Sequence, residues 1–304
     1  MTTKPWLVYA LITTVLWGFW GAFTDLPTKH NFPETLIYCV WSVTMIFPAV
    51  IVVARNGWHI ETDFRSVVFG LIIGLLGAGG QMVLFYAVTK GPAYLIFPII
   101  SLSPVITIIL SFLILRERTN YIGVIGIVLA LIALPMFDFS LQGFHAGLKG
   151  SWFILALLIM MFWGLQAFFM KLANNRMSAE GIFFYMTLTG LMLAPIAWMM
   201  TDTSKPINMG LSGPWLAAGI QVLNSIGSLA LVYAFRHGKA IVVSPLVNAG
   251  APLFTAVISM IALSILPGQL KMLGIIISAI AAIMLSISPE EESGVEIIDK
   301  PVKI

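Results

Sequence analysis

The side chains able to do chemistry inside the apolar stretches of this sequence are amides and indoles, not charges. Gln81, Gln166, Asn224 and Asn248 each sit within a long apolar run, with Ser101, Ser103, Ser225, Ser228 and Ser244 as weaker donors. A carboxamide offers donors and an acceptor together, and a polar group left alone in hydrocarbon costs several kcal/mol. Two readings stand open for them: hydrogen bonds between helices, of about 0.6 to 2 kcal/mol each, or hydrogen bonds to a small polar ligand. Trp17 and Trp20 lie three apart and share one helix face; Trp163 lies as deep in its own run. These indoles either form the walls of a cavity and stack on a planar or aliphatic ligand, or pack as core. Trp6, Trp41, Trp58, Trp152, Trp198 and Trp215 fall mostly near the ends of runs, where an interfacial belt accounts for them.

Catalysis has little to work with. His30, His59, His145 and His237 stand outside the runs and far apart in sequence, with neither a metal-ligand spacing nor a nucleophile–base pair among them. No GxxxxGK[ST] loop for ATP occurs. Catalytic residues, a metal and a cofactor are therefore not expected. The run Gly77-Ala78-Gly79-Gly80 would need a preceding strand to cradle phosphate; with Gly70 and Gly74 it reads as a surface for close helix approach.

The elements that must position these groups follow from composition. The 304 residues are 59% hydrophobic and 10% charged, against about 25% charged in soluble domains. The apolar runs are near the length that crosses roughly 30 Å of hydrocarbon as helix. Ten spans are predicted: 6–23, 36–53, 67–88, 95–115, 121–137, 151–171, 181–200, 215–235, 241–263 and 270–288. Lys4-Pro5 leads straight into the first, so no cleaved leader is expected. The lone Cys39 serves as a small apolar residue. After Pro289, a tail with Glu290, Glu291 and Glu292 reads as solvated.

The chain is also written twice. Shifted by 147, Gly80, Leu84, Tyr86, Ala87, Gly91, Ala93 and Pro98 meet Gly227, Leu231, Tyr233, Ala234, Gly238, Ala240 and Pro245. Shifted by 148, Pro104, Thr107, Ser111 and Gly126 meet Pro252, Thr255, Ser259 and Gly274. At 146, Trp17-Gly18 and Phe23 meet Trp163-Gly164 and Phe169, and Trp20 meets Gln166. A duplication of this kind sets the architecture: residues 1–145 form one repeat, 146–289 the second and 290–304 the tail. Five spans per repeat is an odd number, so the second copy enters the membrane inverted. Inverted repeats hold substrate near the midplane where the halves meet, an architecture of transporters.

Orientation follows from the basic residues. With the N-terminus in the cytoplasm, all six arginines fall on the inner side, and without the tail the Lys and Arg count is nine against five. Both termini are predicted cytoplasmic, in a bacterial inner membrane. Pro98, Pro104, Pro245 and Pro252 are predicted to interrupt equivalent helices, as pivots or as static kinks. Tyr86 and Tyr233 are equivalent and serve as gates or as interfacial anchors. Asp25, Glu34, Glu117, Glu180, Lys171 and Lys271 lie at or near span ends, away from the midplane where ion pathways place their charges. Arg116-Glu117-Arg118 reads as a cap on the fourth and fifth spans.

These residues resemble the drug/metabolite transporter superfamily, in its ten-span form with two EamA domains. The resemblance rests on Gly91-Pro92-Ala93, Pro98 and Pro104, then Leu113-Ile114-Leu115-Arg116-Glu117-Arg118, Ile122-Gly123 and Gly126, with Trp17-Gly18 and Trp163-Gly164. The acid that should match Glu117 in the second half is absent from 263–265. The resemblance implies an all-α basket of ten helices around a central cavity, lined by the first, third and fourth helices of each repeat. It implies export or exchange of small metabolites. The expected substrate is neutral or zwitterionic, amino acids among the candidates, carried by a facilitator or exchanger. Sugar or polyol uptake on the same fold, and a sensor that binds without transporting, are the rivals. The expected partners are a small-molecule substrate and the lipid bilayer, with no nucleic acid, and the chain acts as monomer or homodimer.

Overall fold

The computed structural model describes residues 4–91, 93–137, 151–262 and 268–287. The expected repeat boundary at 145/146 and the tail 290–304 lie outside them. Among the described residues every regular element is helical: α1 (Pro5–Phe23), α2 (Leu26–Lys29), α3 (Glu34–Thr44), α4 (Ile46–Arg55), α5 (Phe64–Lys90), α6 (Ala93–Ile100), α7 (Ser103–Leu113), α8 (Tyr121–Met136), α9 (Ser151–Asn174), α10 (Ala179–Met199), α11 (Leu216–His237), α12 (Ala240–Ala262) and α13 (Gln269–Ile287). A π-turn, Leu211–Trp215, leads into α11 around Pro214. Eight spans are long and apolar enough to cross a membrane, α3 and α4 counting as one, while α7 and α8 are shorter apolar helices.

Local chemistry sets the ends. Asp63, Asn120 and Ser178 cap α5, α8 and α10 through the amides of Ser66, Gly123 and Gly181. Ser66 holds the Asp63 carboxyl below its usual range. Pro5 and Pro104 occupy first turns, where a missing N–H costs nothing. The second span divides at Met45 because Pro48 cannot donate to the carbonyl of Thr44. Phe47, Phe112, Ile154, Met192 and Ile283 stand exposed on the outside, a surface that suits lipid and not water.

The two halves are interleaved. The first helix of each packs mainly on the third and fourth spans of the other: α1 on α11 and α12, α9 on α5 and α7. Along α1, Thr13, Trp17 and Trp20 meet Gly227, Asn224 and Gln221 in turn, so α1 and α11 run antiparallel. Along α9, Trp152, Trp163 and Gln166 meet Gly91, Gly80 and Gly77, so α9 and α5 do the same. The start of α1 thus lies beside the end of α11, and the start of α9 beside the end of α5. One end of the bundle then collects Lys4, Arg55, Arg116, Arg118, Arg176, Arg236 and Lys239, several joined across it: Lys239 to the Arg118 carbonyl, Arg236 to that of Met177, Lys4 to that of Ser286.

Two expectations are corrected here. The fourth span breaks into α6 and α7 at Ser101-Leu102, yet its equivalent α12 is continuous through Pro245 and Pro252. Side-chain donors hold the turn that Pro252 loosens: Asn248 bonds the Ser244 carbonyl and Ser278 bonds that of Ala249. Pro104 opens α7 and is buried; the side chain of Pro98, in α6, lies outside the described residues. Trp6 and Trp152 are not interfacial. They are 4% and 6% exposed, because Gly238 and Gly91 leave the room each needs. Trp58, Trp198 and Trp215 are exposed near span ends.

Candidate functional site

The polar residues of α1 and α11 converge where the halves meet. Gln221, 3% exposed, takes the Trp20 indole N–H on its Oε1 at 3.2 Å and an amide hydrogen of Asn224 at 3.4 Å. Ser228 donates to Asn224 Oδ1 at 3.5 Å, and the Trp17 indole donates to the Asn224 carbonyl at 3.3 Å. Helical spacing of three and four puts Gln221, Asn224 and Ser228 on one stripe. Thr13 bonds the Gly227 carbonyl and Thr44 bonds Ser225, so α3 is tied to the same helix. Trp17, Trp20 and Asn224 are thus brought together. Gln221 completes the cluster and sequence reasoning missed it, although its place one turn before Asn224 was the signal.

On the other side, the Trp163 indole donates to the Gly77 carbonyl at 3.3 Å. The match is residue for residue, since position 77 is the equivalent of 224. Gly80 lies under Trp163 as Gly227 lies under Trp17. Thr107 donates to the Gly164 carbonyl at 3.0 Å, and its equivalent Thr255 to that of Gly18 at 3.1 Å. Gln166 rests over the backbone of Gly77. Gln81, one turn further along α5, is half-buried, and Ser101 occupies the turn between α6 and α7. Asn248 is separate from these, on α12, with its amide on its own helix. A methyl group built on Gly70, Gly74, Gly77 or Gly80 would strike a neighbouring side chain of α9 or α10, whereas Gly79 has open space.

The arginine-bearing end is arranged differently. Arg116 has a left-handed backbone, φ 55°, which turns Glu117 inward. Glu117 is buried and accepts the Ile241 N–H on Oε2 at 3.1 Å. Its side chain caps α12 of the other repeat, while its backbone N–H bonds the Ser111 carbonyl near the end of α7. The expected cap on the fourth span is thus only part of its role. Burial pushes its carboxyl above the usual range, against the opposing pull of Lys171 and the α12 amides. Lys171 donates to the Phe235 carbonyl at 3.0 Å. Among the described residues no group of three His, Cys, Asp or Glu side chains gathers to hold a metal.

A cavity of about 380 Å³ opens at this end between α1, α4, α10 and α11, lined by Tyr9, Ile12, Val52, Arg55, Asn56, Glu180, Ile226, Leu229, Ala230 and Tyr233. Tyr233 stacks on Tyr9, ring centroids 5.1 Å apart, and its hydroxyl donates to Glu180. Tyr86, its equivalent, is 47% exposed with the Lys90 ammonium 5.0 Å from its ring. Of the residues predicted to bind or gate, only Tyr233 lines this cavity. Tyr9, Arg55 and Glu180 were not foreseen as a group, because they come from three helices with no common spacing.

Two stretches, 4–137 and 150–287, each match the EamA-like transporter family. A protein of Methanocaldococcus jannaschii is 28% identical over 134 residues, 44% of this chain and 96% of that protein, which is thus about one repeat long. A protein of Archaeoglobus fulgidus described as an uncharacterized transporter is 31% identical over 138 residues, 43% of this chain and 46% of its own length. This match spans under half of that relative. One crystal structure aligns with a TM-score of 0.74 at 16% identity, over 92% of this chain and 98% of its own; it supports the fold alone.

Proposed function

The chain belongs to the EamA-like transporter family, and from that premise we propose that it is a secondary transporter of small neutral or zwitterionic organic metabolites, amino acids among them, working by alternating access. In this reading α6 and α7 form one broken span and α8 another, which with the eight longer spans makes ten, in two inverted five-helix repeats. The arginine-bearing end faces the cytoplasm, with both termini, in an inner membrane. The observation that carries the reading is the exchange of first helices with matched bonds: Trp17 to the carbonyl of 224, Trp163 to that of 77. Each half is gripped by the other at equivalent places, so a rocking motion at one interface has its counterpart at the other.

The cluster of Trp20, Gln221, Asn224 and Ser228 is uncharged and lies on this interface, which suits a ligand without net charge. Strongly anionic substrates call for Arg or Lys partners, and among the described residues the cluster's hydrogen bonds include none from Lys or Arg. A sugar or polyol is the second reading, favoured by the paired amides of Gln221 and Asn224, which complement hydroxyls.

Counterflow in proteoliposomes, with labelled amino acids, sugars and nucleobases, tests both. Saturable exchange of amino acids, lost in Trp163→Ala and Asn224→Ala, is expected. Exchange of sugars alone would favour the second reading. Binding without flux would sink transport.

A further inference from the structure

We propose that the cavity between α1, α4, α10 and α11 is a binding site for an amphipathic zwitterion: a primary ammonium and an anionic group on an apolar body. The walls supply the body's partners: Ile12, Val52, Ile226, Leu229 and Ala230, with the stacked Tyr9 and Tyr233 rings. The charges supply the rest. Arg55, at the last residue of α4, and Glu180, in the first turn of α10, both line the cavity. They do not neutralise each other: among the described residues the one ion pair is Lys29 with Asp25.

The Arg55 guanidinium has no hydrogen-bond partner among the described residues. Glu180 accepts a single bond, from Tyr233, and its second oxygen has none. A carboxylate accepts several hydrogen bonds and a guanidinium donates five, so both groups retain capacity directed at the same 380 Å³ space. Opposite charges held apart across a cavity with apolar walls match a ligand that carries both signs. The opposite end of the bundle carries different residues at the equivalent places. Its equivalent of Arg55 is Thr201, bonded to Thr35 at 2.8 Å, and its equivalent of Tyr9 is Leu155.

An α-amino acid with a large apolar side chain and an aminophospholipid headgroup share this chemistry. The inference concerns binding and stands apart from the transport reading. Purified protein in phosphatidylcholine nanodiscs, which hold no primary ammonium, is titrated calorimetrically with L-phenylalanine and with short-chain phosphatidylethanolamine. Saturable binding of one of them is expected, and its identity names the source. Arg55→Gln and Glu180→Gln should each weaken it about tenfold or more. The glutamine at 180 still accepts the Tyr233 hydroxyl, so a loss there reports charge and not misfolding. Phenethylamine should be insensitive to Arg55→Gln and 3-phenylpropionate to Glu180→Gln, which assigns each charge to its end of the ligand. No binding of either zwitterion, or binding indifferent to both substitutions, would overturn the proposal.

Discussion

Between α9 and α5, Gln166 lies over the bare backbone of Gly77. At the equivalent place between α1 and α11, Trp20 and Asn224 meet at the carboxamide of Gln221. Around both places the frame is the same. An indole bonds a carbonyl, a glycine lies beneath that indole, and a threonine one helix away bonds the carbonyl after the tryptophan. Trp6 on Gly238 and Trp152 on Gly91 extend the match to the helix ends. What repeats is packing and backbone satisfaction, which any two halves that grip each other need. What differs is the polar filling, and at the arginine-bearing end a charged cavity lies beside Tyr233. In the proposed transport reading, the shared parts carry the mechanics and the unshared parts give selectivity room to arise.

The largest expected effect tests the frame. Gly80→Leu and Gly227→Leu each drive a side chain into the Trp163 or Trp17 indole, which a methyl group alone would approach to 2.5 Å. Overpacking of this degree costs on the order of 3 kcal/mol, seen as a lower Tm and loss of a monodisperse peak in detergent. Equal losses are expected from the pair; tolerance of one alone would break the equivalence.

A smaller effect separates the fillings. Gln221→Ala leaves the Trp20 and Asn224 donors without their acceptor, at about 1 to 3 kcal/mol. Gln166→Ala removes a side chain for which the structure shows no hydrogen bond, and should cost under about 1 kcal/mol. Thermal unfolding of the two variants ranks them, and a reversed order would mean that the second interface holds the polar site. The smallest effect concerns Tyr233. Tyr233→Phe loses the bond to Glu180, at about 1 kcal/mol, read as a lowered Tm. A Tyr233→Phe variant as stable as wild type would mean that the bond to Glu180 contributes nothing to the fold.

Composition and run length were enough to read helices, spans and a membrane setting, because hydropathy and the 3.6-residue period are local properties of the chain. Matched residues such as Trp17 with Trp163 and Gly80 with Gly227 gave the duplication. Trp6 with Trp152 repeats at the same offset of 146, a signal present in the sequence and not used. Tertiary structure alone decided that α1 grips α11 and α12 of the other half, that α12 stays whole through two prolines, and that Tyr9, Arg55, Glu180 and Tyr233 share one cavity. In lipid, an apolar side chain is satisfied as well by acyl chains as by a neighbouring helix, so hydrophobic periodicity does not mark which face is buried or against what. Partners are chosen by fit, such as an indole over a glycine, and fit exists only once the helices have met.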